Sequence, residues 1–120
     1  DAKRADIGST NEGYVAFAFD WLGVDAITLH PYLGKEALKP FLDRKDKGCI
    51  ILCRTANPGA GEYQDLLVDG EPLYQRVARK VVSKWNINNN CMGKPDFRMR
   101  WSDAPLGRYH IFRCRNHKES

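Results

Sequence analysis

Apolar positions along this chain switch between short β-prone runs and longer stretches repeating near 3.6, and the switching predicts the elements. Tyr14, Phe17, Ala18, Trp21 and Leu22 recur at helical spacing. They predict a helix with this set as its buried stripe, capped by Ser9 or Thr10, with Glu12 in its first turn and Gly23 as its stop. Val24 to Leu29 (VDAITL) is a β-prone run ended by His30-Pro31. A second helix is expected after Gly34, burying Ala37, Leu38, Phe41 and Leu42. Pro40 falls inside it, which suggests a separate short turn before the helix proper. Gly48 to Cys53 (GCIILC) reads as a strand covered on both faces, running into the loop from Thr55 to Gly61. Leu73, Val77, Val81 and Trp85 repeat at i, i+4 and predict a third helix with Pro72 at its start.

Asp1 to Ile7 reads as the end of a strand entering a loop, so the order is strand, helix, strand, helix, strand, helix. Strands separated by helices pair in parallel through right-handed crossovers, which predicts an α/β fold with functional groups on the loops after the strands' C-terminal ends. Asp1, Lys3 and Asp6 fall on the first such loop, His30-Pro31-Tyr32 on the second and Arg54 to Gly61 on the third. After Asn86 the periodicity lapses into Arg, Asn and isolated aromatics, with Tyr109 to Cys114 (YHIFRC) a modest strand candidate.

The 120 residues are 42% hydrophobic and 28% charged, the balance of a globular chain with one core. No run of about 18 apolar residues exists to span a bilayer, and a soluble cytoplasmic protein is expected. Cys49, Cys53, Cys91 and Cys114 form no CxxC pair, so packing is expected of them before metal or disulfide chemistry. The net charge of +4 is unevenly placed. Residues 1 to 86 hold 12 Lys+Arg and 12 Asp+Glu, leaving 7 and 3 in residues 87 to 120, so the whole excess belongs to the tail.

Asp1 and Lys3, two apart on a strand end, are expected to point to one side, and the carboxylate would keep the lysine protonated. Asp6 can turn back to the same pocket or reach a neighbouring subunit. Such an array suits a reaction in which a carboxylate leaves and a carbanion is protonated, the ammonium stabilising charge and then donating its proton. DxKxxD alone also fits a solvated ion-paired surface. His30, after a buried strand, is expected to be a hydrogen-bonded structural residue.

The segment DAKRADIGST resembles the D-x-K-x-x-D-I-x-x-T signature of orotidine 5'-phosphate decarboxylases, and DAITLHPYLG, CRTANPGA and YQDL resemble later blocks of a bacterial branch. The resemblance covers residues 1 to about 86, leaving 87–120 as a basic tail unlike the family. It implies a homodimeric TIM (β/α)8 barrel, of which this chain would be a part with about three β-α units, turning orotidine 5'-monophosphate into UMP and CO2 without metal or organic cofactor. Residue by residue, Asp1 resembles the carboxylate beside the substrate carboxylate, Lys3 the proton donor to C6 of the pyrimidine, and Asp6 the carboxylate supplied across the dimer. Ile7 and Thr10 resemble residues lining the partner's site; their ordinary roles would be core and helix cap. Where the family often has a serine before Asn-Pro-Gly, this chain has Ala56, so Thr55 or loop amides are left to meet the pyrimidine beside Pro58, or the segment is merely a tight turn.

A full barrel of this kind needs 200 residues or more, so strands are expected both upstream and downstream of these residues; the resemblance implies that they carry a second lysine that would pair with Asp1 and a phosphate-gripping loop, and the polypeptide alone is expected to lack turnover and to aggregate. The break in composition near Asn88 to Cys91 is what a change of reading frame would produce; divergence is the alternative. Two other functions compete: a Mg²⁺-dependent sugar-phosphate decarboxylase of the same superfamily, and a non-enzymatic scaffold whose basic tail binds nucleic acid, which no recognised motif favours.

Overall fold

The computed structural model describes residues 2–91 and the backbone of residues 110–111. Asp1, Cys114 and most of the expected strand from Tyr109 to Cys114 lie outside the described residues.

The fold is α/β. Strand β1 (Ala26–Leu29) pairs in parallel with β2 (Gly48–Arg54), in the register Ala26↔Gly48 to Leu29↔Ile51. On the other edge of β1, Arg4 forms a parallel bridge to Leu29: the Arg4 N–H donates to the Thr28 carbonyl at 3.0 Å and the His30 N–H to the Arg4 carbonyl at 3.2 Å. The expected first strand is therefore this single bridge. Three segments lie side by side in chain order, with helix α1 (Ser9–Val15) and helix α2 (Gly34–Leu42) as the crossovers between them. Both faces of β2 contribute buried side chains, as expected for a covered parallel strand: Cys49, Ile51 and Cys53 on one, Leu52 on the other.

The outer edge of β2 is also occupied. The Gly48 N–H points back to Asp25 on the β1 side, so the next amide, of Cys49, points outward and donates to the Asn90 carbonyl at 2.8 Å, giving a parallel bridge between Cys49 and Cys91. Farther along this edge the short strand β5 (His110–Ile111) pairs antiparallel with Leu52 and Arg54, with a register shift between them. Asn90 and Cys91 are buried, so the packed unit continues past residue 86.

The helices correct two expectations. Helix α1 runs on in π geometry through Ala16–Trp21, and it buries Asn11, Val15, Ala18 and Phe19. Phe17, Trp21 and Leu22 are more than half exposed instead of core, Phe17 and Trp21 stacking on each other at 5.2 Å. Nor does Ser9 or Thr10 cap it: Gly8, at φ 56, holds that position and no side chain bonds there. In α2, Pro40 lies within one continuous helix and no separate turn precedes it. Proline at that point forfeits only the bond to the Glu36 carbonyl, in the first turn. Ala37, Leu38, Phe41 and Leu42 are buried as expected.

Helix α3 (Leu73–Lys80) begins after Pro72 and continues in π geometry through Val81–Trp85, with Val77 and Trp85 packed against the core and Val81 inside it. Ahead of it lies a hairpin of β3 (Leu67–Val68) and β4 (Glu71–Pro72). Its turn residues Asp69 and Gly70 both have positive φ, at 52 and 79, the conformation that an Asp-Gly pair adopts in a two-residue hairpin loop. At the core centre Phe41 meets Phe19 edge to face at 6.3 Å, among Leu29, Leu38, Ile51 and Val81.

Cys49, Cys53 and Cys91 are buried free thiols, as packing requires. Burial pushes the Cys53 thiol up to about 12, and that of Cys91 to about 11 against the opposing charge of Lys35. A thiol whose folded pKa exceeds its unfolded one stabilises fully below the unfolded value, here an ordinary 9.0, and loses that contribution as pH rises from there to the folded value. Urea midpoints should therefore fall more steeply between pH 9 and pH 11 for the native chain than for Cys53→Ala; equal slopes would contradict the burial of this thiol.

Candidate active site

Lys3 stands at the C-terminal end of the sheet with φ 47, a left-handed conformation that costs a non-glycine residue about 1–2 kcal/mol. Buried Thr28 on β1 secures it. The Thr28 hydroxyl accepts the Lys3 N–H at 2.9 Å while the Thr28 carbonyl accepts the next amide, of Arg4. One strand residue thus fixes two consecutive amides of the loop and turns the Lys3 side chain into solvent. Because Lys3 is not extended, alternation along a strand cannot set its direction relative to Asp1. Arg4 lies over the Tyr14 ring, 4.9 Å from its centre.

Asp6 is held by Asn11, a residue that periodicity passes over and that is fully buried. The Asp6 N–H donates to Asn11 Oδ1 at 2.8 Å, and Asn11 Nδ2 donates to the Asp6 carbonyl and to the Ala37 carbonyl on α2. The Asp6 carboxylate accepts the Ile7 N–H at 2.8 Å. Ile7 is 65% exposed, so it is not core, and Thr10 is exposed and not a cap. With both ordinary roles removed, the two side chains lie free at the surface beside Asp6. His30 sits with Nε2 3.3 Å from the Ala5 carbonyl, in the structural role expected of it.

The third loop is organised around Thr55, whose polar groups are all engaged. Its N–H donates to Gln64 Oε1 at 2.7 Å, its carbonyl accepts from Arg54 Nη1 at 3.2 Å, and its hydroxyl contacts Asn57 Oδ1 and accepts from Gln64 Nε2 at 3.0 Å. Arg54 in turn makes a two-pronged bond to Asp65, with both distances 2.7 Å, and its guanidinium lies 5.9 Å from the centre of the Tyr74 ring. The hydrogen bond to Arg54 holds the Asp65 carboxyl below the usual carboxylate range. Pro58 is exposed at the start of a 3-10 turn, Pro58–Glu62, that buries Ala60. Between these fixed points, Ala56 has neither its N–H nor its carbonyl bonded to any described residue.

Lys3, Asp6 and the Thr55 loop therefore rise from the same end of adjacent parallel segments, where α/β sheets place their chemistry. Two clefts among the described residues lie elsewhere. One of about 710 Å³ is lined by residues including Lys35, Trp85 and Ile87, and one of about 440 Å³ by residues including Ser9, Glu12 and Pro40. Neither is lined by Lys3, Asp6 or Thr55.

The family model described as orotidine 5'-phosphate decarboxylase / HUMPS matches residues 1–94, past the point near residue 86 where the resemblance in the sequence fades. An orotidine 5'-phosphate decarboxylase of Herpetosiphon aurantiacus is 60% identical over 92 residues, covering 76% of this chain and 34% of that protein. One from Halorubrum lacusprofundi is 57% identical over 91 residues, covering 75% and 32%. Among solved structures, the OMP decarboxylase of Leishmania donovani superimposes with a TM-score of 0.74 at 42% identity, covering 76% of this chain and 36% of that one. The chain spans about a third of the length of the curated relatives it matches.

Proposed function

The chain belongs to the orotidine 5'-phosphate decarboxylase / HUMPS family, and from that premise we propose that residues 1–94 are the part of a (β/α)8 decarboxylase barrel that carries its proton donor, acting on orotidine 5'-monophosphate. In this reading the C6–carboxylate bond breaks, CO2 departs, and the electron pair left on C6 takes the proton of the Lys3 ammonium to give UMP. Asp1 lies beside the departing carboxylate and keeps Lys3 charged. Asp6, Ile7 and Thr10 reach the site of a second subunit, and the loop of Thr55 and Pro58 meets the pyrimidine. The chemistry asks for proton transfer and fixed charge, and no metal or organic cofactor enters it.

One observation carries the reading: Thr28 and Asn11 pin the backbone of the Lys3–Asp6 loop onto β1 and α2, holding a lysine in left-handed geometry at the functional end of a parallel sheet. A surface ion pair needs no buried asparagine to support it. Backbone strain held by several tertiary bonds clusters at functional sites, and that supports the reading. Exposed Ile7 beside Asp6 favours a second subunit over that spot.

The test replaces the matching 92 residues of the Herpetosiphon aurantiacus relative with residues 1–94 of this chain and follows conversion of orotidine 5'-monophosphate to UMP. Turnover that persists in EDTA is the expected result. A folded barrel without turnover contradicts the reading, and one that instead decarboxylates a sugar phosphate in a reaction lost in EDTA favours the Mg²⁺-dependent sugar-phosphate enzyme.

A further inference from the structure

We propose that Gln64 is a positioning residue for pyrimidine recognition: its side-chain amide locks Thr55 so that the neighbouring Ala56 peptide is presented to the base. The proposal rests on the decarboxylase reading and deepens it at the one position where this chain lacks the serine common in the family.

Ala56 carries only a methyl group and cannot bond a base through its side chain. Thr55 cannot substitute, because its N–H, carbonyl and hydroxyl are all engaged within the loop. What remains is the Ala56 peptide, half-buried, its N–H donor and carbonyl acceptor bonded to no described residue. A donor and an acceptor side by side complement the imide edge of a pyrimidinedione, where a ring N–H adjoins ring carbonyls.

A backbone recognises a ligand well only if its dihedrals are fixed beforehand. Gln64 is built to fix them. A carboxamide is acceptor and donor at once, and it meets the Thr55 N–H with one end and the Thr55 hydroxyl with the other, at 2.7 and 3.0 Å. Gln64 is itself tied on both sides: its N–H donates to the Ala60 carbonyl and its carbonyl accepts the Tyr74 N–H at the start of α3, each at 3.0 Å. The loop is thereby connected rigidly to the helix behind it.

Two variants test this. In the chain of residues 1–120, Gln64→Ala should speed amide exchange of Thr55 about tenfold or more relative to the core amides of β2, while Gln64→Glu, which retains the acceptor for the Thr55 N–H, should stay within about threefold of the native rate. In the completed barrel, Gln64→Ala should raise KM for orotidine 5'-monophosphate about tenfold with kcat changed less than about twofold, and Gln64→Glu should restore most of the loss. Unchanged Thr55 exchange in Gln64→Ala overturns the clamp, and an unchanged KM, or a fall in kcat alone, overturns the positioning role. A folded native barrel that fails to turn over at all overturns the decarboxylase reading and this role with it, whereas turnover with a KM indifferent to Gln64 sinks only the present proposal.

Discussion

Lys3→Ala, made in a completed barrel carrying residues 1–94 of this chain, is expected to lower kcat for orotidine 5'-monophosphate by at least about 10²–10⁴-fold, the range supplied by a positioned general acid. The true loss should lie at or beyond the upper end, because the same ammonium also offsets charge that develops on C6 as the carboxylate leaves. Stability should scarcely move. The Lys3 side chain is exposed, and the bond from its backbone N–H to the Thr28 hydroxyl survives the substitution; surface changes of this kind stay within about 0.5 kcal/mol. Lys3→Arg should fail to rescue turnover, since a guanidinium holds its proton at every accessible pH. A Lys3→Ala barrel with near-native kcat would remove Lys3 from the chemistry.

Asn11→Ala is expected to destabilise the chain by about 3 kcal/mol. The substitution leaves the Asp6 N–H and carbonyl without their partner, strips the Ala37 carbonyl of an additional donor, and opens a cavity at a fully buried position. Each buried group left unsatisfied costs about 1–3 kcal/mol. Asn11→Asp should do no better, because it keeps an acceptor for the Asp6 N–H but turns a carboxylate oxygen toward two carbonyls. Urea unfolding followed by circular dichroism measures the loss, and a change under about 1 kcal/mol would mean that the Asp6 loop stands without this support. Since Asp6 sits on the same backbone, the variant should also weaken the role proposed for Asp6 at a second subunit.

The rhythm of apolar residues was enough to locate all three helices, β1 and β2, because each of those elements turns an apolar face toward the core, although in α3 that face is only partly buried before Val81. It failed where a polar residue occupies a core position. In α1 the inward stripe includes Asn11, and the adjoining Phe17 and Trp21 cover each other outside the core. A reading that follows hydrophobicity therefore slid to the aromatic side. The π geometry from Ala16 onward shifts the residues presented inward as well. Pro40 misled for a local reason, because it falls in the last turn of α2, where it removes one backbone bond while the helix still runs on to Leu42. The hairpin of β3 and β4 did carry a signal, the Asp69-Gly70 pair, but strands of two residues leave no alternation to notice.

For the candidate site, Asp1, Lys3 and Asp6 stand out in the sequence as candidates because they form a spaced motif of ionisable residues. The residues that support them do not. Thr28 acts on Lys3 from 25 positions away and Asn11 on Ala37 from 26, distances that only the folded crossovers close. Gln64 is nearer to Thr55, yet glutamine in a polar loop carries no pattern of its own. The family match runs to residue 94 and Asn90 and Cys91 are buried, so the coding DNA beyond Cys91, read in its other two frames, is where the proposed change of reading frame would be tested.

The most direct measurement is the crystal structure of the completed barrel, residues 1–94 of this chain in place of the matching segment of the Herpetosiphon aurantiacus relative, with UMP bound. The account predicts that Lys3 Nζ lies within hydrogen-bonding reach, about 3 Å, of the pyrimidine C6 position, with the Ala56 peptide on the imide edge and Asp6 entering from the second subunit. UMP bound with Lys3 turned away from C6, or held by contacts that leave the Lys3 and Thr55 loops untouched, would contradict it.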